Sequence, residues 1–114
     1  MFMKVFHRAP LYGRSINKDD PLPGDLGWPA LYTPAAVVKP NSITSNSIAM
    51  AYAATQTIEV PWWEHSSNIW SVTKLVPGIC RSTAVGDIIS YGRDFWVVAD
   101  VGFVLIEKLP EAVA

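Results

Sequence analysis

RSTAVGDIISYGRDFWVVADVGFVLIEKL, residues 81–109, is the stretch whose reading decides the fold. It holds three runs of β-branched and aromatic residues, Asp87–Tyr91, Phe95–Asp100 and Phe103–Lys108. Gly92-Arg93-Asp94 and Val101-Gly102 separate them, and both are short enough for hairpin turns. The pattern predicts an antiparallel three-strand meander. Phe95, Val97 and Ala99 fall on one side of the second strand, Trp96 and Val98 on the other. Both faces are apolar, so both need cover, and Trp96 and Phe103 are expected core residues.

Working outward, Ile69–Val76 reads as a strand stopped by Pro77-Gly78, and Thr57–Val60 as a short strand closed by Pro61. Residues 42–56, SITSNSIAMAYAATQ, form the one helical stretch: Ser45, Asn46 or Ser47 supplies a cap, alanines favour the helix, and Ile48 and Tyr52 share a face. Met1–Arg8 reads as a strand, with Pro10 helping to end it. Between these lies a proline-rich segment, residues 11–41, with Pro21, Pro23, Pro29, Pro34 and Pro40. Proline fixes φ and lacks an N–H, so neither a long helix nor an inner strand is expected there. Leu22, Leu26, Trp28, Leu31, Tyr32, Val37 and Val38 are too apolar for a solvated linker. The segment is expected to be an ordered loop packed on the body. The fold class is α+β: a small antiparallel sheet, one short helix and a long proline-rich loop, in a single domain spanning residues 1–114.

The composition narrows the function classes. Half of the 114 residues are hydrophobic and 17% are charged, as in a folded globule. The net charge of −1 gives no general attraction to nucleic acid or an anionic membrane. Apolar runs are strand-sized, far below the roughly 18 residues of a membrane span. The N-terminus, with basic residues on both sides of a very short apolar patch, is a poor signal peptide. One cysteine, Cys80, cannot form an internal disulfide. These features suit the cytoplasm.

Candidate chemistry is sparse. His7 and His65 are the two histidines, and with Cys80 they have no chelating spacing, so no metal is expected. Glu64-His65-Ser66 contains the residue types of a hydrolase triad, but sequence neighbours rarely converge as a triad needs. Arg81 beside Cys80 can lower a thiol pKa, whereas a small buried cysteine is the commoner case. Asp19-Asp20 reads as a turn. There is no phosphate-binding glycine loop, and no cofactor is expected.

Arg81-Ser82-Thr83, Val85-Gly86-Asp87-Ile88-Ile89, Phe95–Val98 and Gly102-Phe103 resemble the C-terminal signature of YodL-like domains, and small proteins carried by phages, plasmids and other mobile elements. The resemblance covers about a quarter of the chain. It implies a non-enzymatic accessory protein that binds a host protein in the bacterial cytoplasm, with anti-CRISPR or anti-restriction counter-defence as the natural role. It supplies no catalytic residues. In physical terms Arg81, Ser82, Gly86, Asp87, Gly102 and Phe103 look structural: Gly86-Asp87 starts a strand, with Asp87 bonding nearby amides, and Gly102 permits a sharp turn. The binding role is assigned instead to Trp28, Tyr32, Trp62 and Trp63, large rings on proline-stiffened segments. Two alternatives stay open. One is a nucleic-acid-binding β module stacking bases on Trp62 and Trp63, which the charge disfavours. The other is a small enzyme using His7, His65 or Cys80. Oligomeric state cannot be read from the residues.

Overall fold

A computed structural model describes residues 2–41, 47–64, 67 and 69–108, without the side chains of Ser47, Glu107 and Lys108. The six strands are β1 (Met3–Arg8), β2 (Tyr32–Pro40), β3 (Trp70–Lys74), β4 (Ile88–Tyr91), β5 (Asp94–Val98) and β6 (Phe103–Lys108). They form one antiparallel sheet in the order β3-β2-β1-β4-β5-β6. The sheet is thus twice the width expected, and β4-β5-β6 is one half of it. Its centre is β1, which alternates strictly: Met3, Val5 and His7 are buried, whereas Lys4, Phe6 and Arg8 are half-buried.

The proline-rich segment splits in two. Residues 9–31 carry neither helix nor strand, but Tyr32–Pro40 is an inner strand, contrary to the expectation from its prolines. The register explains the tolerance. Val5 pairs with Ala36 and Phe6 with Pro34, so Ala35 is an extra residue at a bulge, where the ladder is already interrupted. Pairing with β3 begins only at Ala36 and ends at Pro40, so neither proline sits where both neighbours need its N–H. Thr57–Val60, expected as a strand, is instead a tight loop in which Glu59 adopts φ 65°.

Each face of the sheet has its own cover. Helix α1 (Ser47–Ala54) lies on the Met3/Val5 face; the proposed caps Ser45 and Asn46 fall outside the described residues. Ala51 and Ala54 are fully buried, and such small side chains let the helix approach the sheet closely. They pack with Val38, Ile89, Val98 and Trp62. On the opposite face Ile16, Leu26 and Trp28, from residues 9–31, pack against Ile88, Val97 and Phe95. The tip of the β5–β6 hairpin fastens this segment: Ile16 N–H donates to Asp100 Oδ1 at 3.1 Å and Asp100 N–H to Ile16 O at 2.8 Å. Gly102, with φ 76°, closes that hairpin.

The heaviest core side chain is Trp62, at 0% exposure, whereas Trp96 and Phe103 are only half-buried. Trp62→Ala should therefore cost about 3–5 kcal/mol, the range for a fully buried aromatic, and Trp96→Ala clearly less. Urea unfolding of the two variants checks the order.

Candidate functional site

The stretch 80–87 returns from β3 to β4 and closes around Asp87, which is 1% exposed. Its carboxylate accepts four hydrogen bonds. Arg81 forks onto it, Nη1 to Oδ2 at 2.6 Å and Nη2 to Oδ1 at 2.8 Å. The backbone N–H of Arg8 donates to Oδ1 at 2.8 Å, and that of Ala84 to Oδ2 at 2.8 Å. Register between β1 and β4 ends at Phe6 and Ile88, so the carboxylate serves Arg8 where a ladder carbonyl is missing. Arg81 also donates to Arg8 O at 2.9 Å and Ser82 O at 2.9 Å. Its hydrogen bonds to Asp87 push the guanidinium pKa upward, fixing the charge. Ser82 Oγ accepts from Thr57 N–H at 2.8 Å. Gly86 has φ 94°, and a Cβ there would stand 2.5 Å from Tyr12 Cβ.

Beside this pair lies a buried polar chain. His7 Nε2 is 3.0 Å from Thr83 Oγ1, which is 2.6 Å from Thr55 Oγ1, which donates to Ala51 O at 2.9 Å. Cys80 Sγ is 3.6 Å from His7 Nδ1. One proton assignment satisfies every group: Cys80 S–H to Nδ1, Nε2–H to Thr83, Thr83 to Thr55, and Thr55 to Ala51 O. It requires a neutral imidazole and a neutral thiol. Burial lowers the His7 pKa, against the pull of Asp87 and with the push of Arg81. Burial likewise raises that of Cys80, outweighing the opposing effects of Arg81 and Lys74. Cys80, His7 and Asp87 are thus aligned like a nucleophile, base and orienting acid, yet His7 Nε2 stays 4.0 Å from Asp87 Oδ2 and both reactive groups are held uncharged and buried. No group of three or more His, Cys, Asp and Glu side chains suited to a metal occurs among the described residues. His65 and Ser66 lie outside the described residues.

The four residues expected to face a partner fare differently. Tyr32 is buried; its hydroxyl donates to Gly86 O at 2.6 Å, and burial pushes its pKa to about 12. Trp28 is half-buried, edge-on to Phe6 and Tyr32 at 5.3 and 5.1 Å. Trp62 is core, its indole N–H shared between Cys80 O and Arg81 O. Tyr32 and Trp62 are packing residues, which corrects the partner-facing role expected of them. Trp63 is half-buried and stands edge-on to Trp62, with the Lys74 ammonium 4.3 Å from its ring centre.

What the corner around Trp63 exposes is aliphatic. Residues 57–64 and 75–82 are joined by the Thr57–Ser82 and Trp62–Cys80/Arg81 bonds, and Lys74 Nζ donates to Gly78 O. On these loops Ile79 is 94% exposed and Ile58 65%, with Val60 and Leu75 each 44%. Sequence reasoning passed over them because Ile58, Val60 and Leu75 read as strand residues, and Ile79, a lone aliphatic, carries no motif. Among the described residues no helix is long and apolar enough to cross a membrane.

No family model, no curated protein and no solved structure matches this chain.

Two outcomes follow from the buried groups. Asp87→Asn keeps the shape but removes the charge and one acceptor; it should cost about 3 kcal/mol, the low end for breaking a buried pair because Arg81 still reaches water. Chemical denaturation measures it. The pH effect has the opposite origin. A folded-state His7 pKa below the ordinary 6.5 means that the unfolded chain takes up a proton the fold refuses. Stability is full above pH 6.5 and falls as the pH drops through that value towards the folded pKa. His7→Gln should flatten this slope, as read from melting temperatures at about pH 7.5 and about pH 5.5; an equal slope would assign the effect to other groups.

Proposed function

We propose that the chain is a non-enzymatic accessory protein that binds a host protein through the corner built by residues 57–64 and 75–82. The observation that carries this reading is the exposed aliphatic group Ile58, Val60, Leu75 and Ile79 on loops pinned by the buried Trp62. Large apolar side chains held on a fixed backbone lose little entropy on docking and bury area on contact. Four exposed aliphatic side chains on two loops that are hydrogen-bonded to each other offer apolar area for a partner to cover. The resemblance of residues 81–103 to YodL-like domains supports a mobile-element setting, and with it a counter-defence role in the bacterial cytoplasm against a restriction or CRISPR complex. Nucleic acid is a poor partner: the net charge is −1, and Trp62, one of two rings needed as stacking platforms, is buried. Catalysis is a poor fit because the Cys80–His7 pair is uncharged.

The test combines capture with function. Ile58→Glu/Ile79→Glu should keep the wild-type melting temperature, since both side chains face water, and should lose the host protein that the wild type retains from a bacterial lysate. In a host with an active restriction or CRISPR system, wild-type expression should raise plating of a targeted phage at least about tenfold, and the double variant should not. Capture undiminished in the folded variant moves the interface to another face.

A further inference from the structure

A cleft of about 310 Å³ opens on the sheet face opposite helix α1, away from the corner discussed above. Phe2, Lys4, Phe6, Ser90, Gly92 and Phe95 line it. The strand pattern explains the grouping. Phe2, Lys4 and Phe6 alternate onto one face, about 7 Å between successive members. Lys4 pairs with Ser90 across β1 and β4, and Ser90 with Phe95 across β4 and β5. Lys4 and Ser90 therefore line the cleft together with Phe2, Phe6 and Phe95. Two of the rings are held by their neighbours: Trp28 packs against Phe6 and Phe95 with centroids 5.3 Å away in each case, and Phe6 and Phe95 are 6.2 Å apart. Phe2, at the rim, is 48% exposed. Among the described residues the lining contains one cation and no carboxylate.

We propose that this cleft binds a planar aromatic group carrying an anion, the rings stacking on its plane and Lys4 and Ser90 holding the negative group. The composition is that of a small-molecule site: an apolar wall with few convergent polar atoms, at the lower end of the usual size. A cavity of about 150 Å³ takes one benzene ring, so one fused bicyclic unit fits here. Quadrupolar contact with braced phenyl edges and faces favours a flat ring over an aliphatic body of equal area. A free aromatic acid and a nucleotide share this chemistry, and the two sources differ in what lies beyond the anion.

The proposal is independent of host-protein binding, and so is its test. Amide shifts of Ser90 and Gly92 are followed by heteronuclear NMR in the full chain during titration with 2-naphthoate, 2-naphthalenemethanol, decalin-2-carboxylate, adenosine monophosphate and a short oligothymidylate. Naphthoate should shift both amides and bind roughly tenfold tighter than the neutral alcohol or the saturated acid, a difference of about 1.4 kcal/mol. Lys4→Met should abolish the preference for naphthoate over the alcohol while leaving ring binding; Phe95→Leu should weaken all aromatic probes. If Phe95→Leu unfolds, Lys4→Met at a half-buried surface position still decides. Saturation by naphthoate or the mononucleotide with no gain from the oligomer supports the proposal of a free ligand; a markedly tighter oligomer makes the face a nucleic-acid surface and overturns it. No shift with any aromatic anion, or equal affinity for naphthoate and the saturated acid, overturns it.

Discussion

The carboxylate of Asp87 is the point on which the architecture depends. Moving a carboxylate out of water costs several kcal/mol even after relaxation, and an ion pair alone rarely repays that. Here four donors arrive together, two from Arg81 and the others from the backbone of Arg8 and Ala84. Those donors belong to different parts of the chain, and only one arrangement brings them to one carboxyl group. The net gain in stability is therefore modest and the gain in uniqueness large: the pair fixes how the 80–87 crossing meets the end of β1. From there β4 is placed beside β1, and Gly86 and Asp87 exchange backbone bonds with Val98 in β5.

A sheet with β1 at its centre is buried twice, and the two covers differ in kind. The helix face is covered by alanines and by Trp62, whose indole N–H caps the carbonyls of Cys80 and Arg81. The other face is covered by a segment without regular structure, which must satisfy its own polar groups. It does so by side-chain capture: Arg8 Nε donates to Leu26 O at 2.7 Å, Tyr12 Oη to Asp25 Oδ1 at 2.9 Å, and Ile16 trades bonds with Asp100. Its prolines restrict the unfolded chain more than the folded one, so an irregular cover is less costly here than its length suggests.

The glycine-punctuated runs of residues 87–108 were legible because alternation and turn chemistry agree there. β2 was not, because proline was judged by its own N–H rather than by its register; only the bulge at Ala35 and the late start of β3 pairing make Pro34 harmless. The buried polar chain was half legible. Alternation along Met3-Val5-His7 already points His7 inward, but Thr55 and Thr83 lie 28 residues apart in sequence and meet only in the fold. Trp62 and Trp63 show the same limit. The pair is not extended but starts a single 3₁₀ turn, Trp62–Glu64, so strand alternation does not decide which ring enters the core; Trp62 enters it with its indole N–H on the carbonyls of Cys80 and Arg81. Phe2, Phe6 and Phe95 fall on one face by alternation, whereas their convergence on Lys4 needs the β1–β4–β5 register.

The alignment of Cys80, His7 and Asp87 shows why geometry without charge is not chemistry. A nucleophilic thiolate needs an imidazolium or another cation to stabilise it and a route for a substrate to reach it. Arg81 is the cation at hand, but both arms of its guanidinium are committed to Asp87. Burial works on the two partners in opposite directions and leaves a neutral pair. Protonating His7 would turn Nδ1 from acceptor into donor, facing the S–H it now accepts from, while the Nε2–H bond to Thr83 would stand. The buried polar chain thus ties the helix end at Thr55 to the sheet through Thr83 and His7.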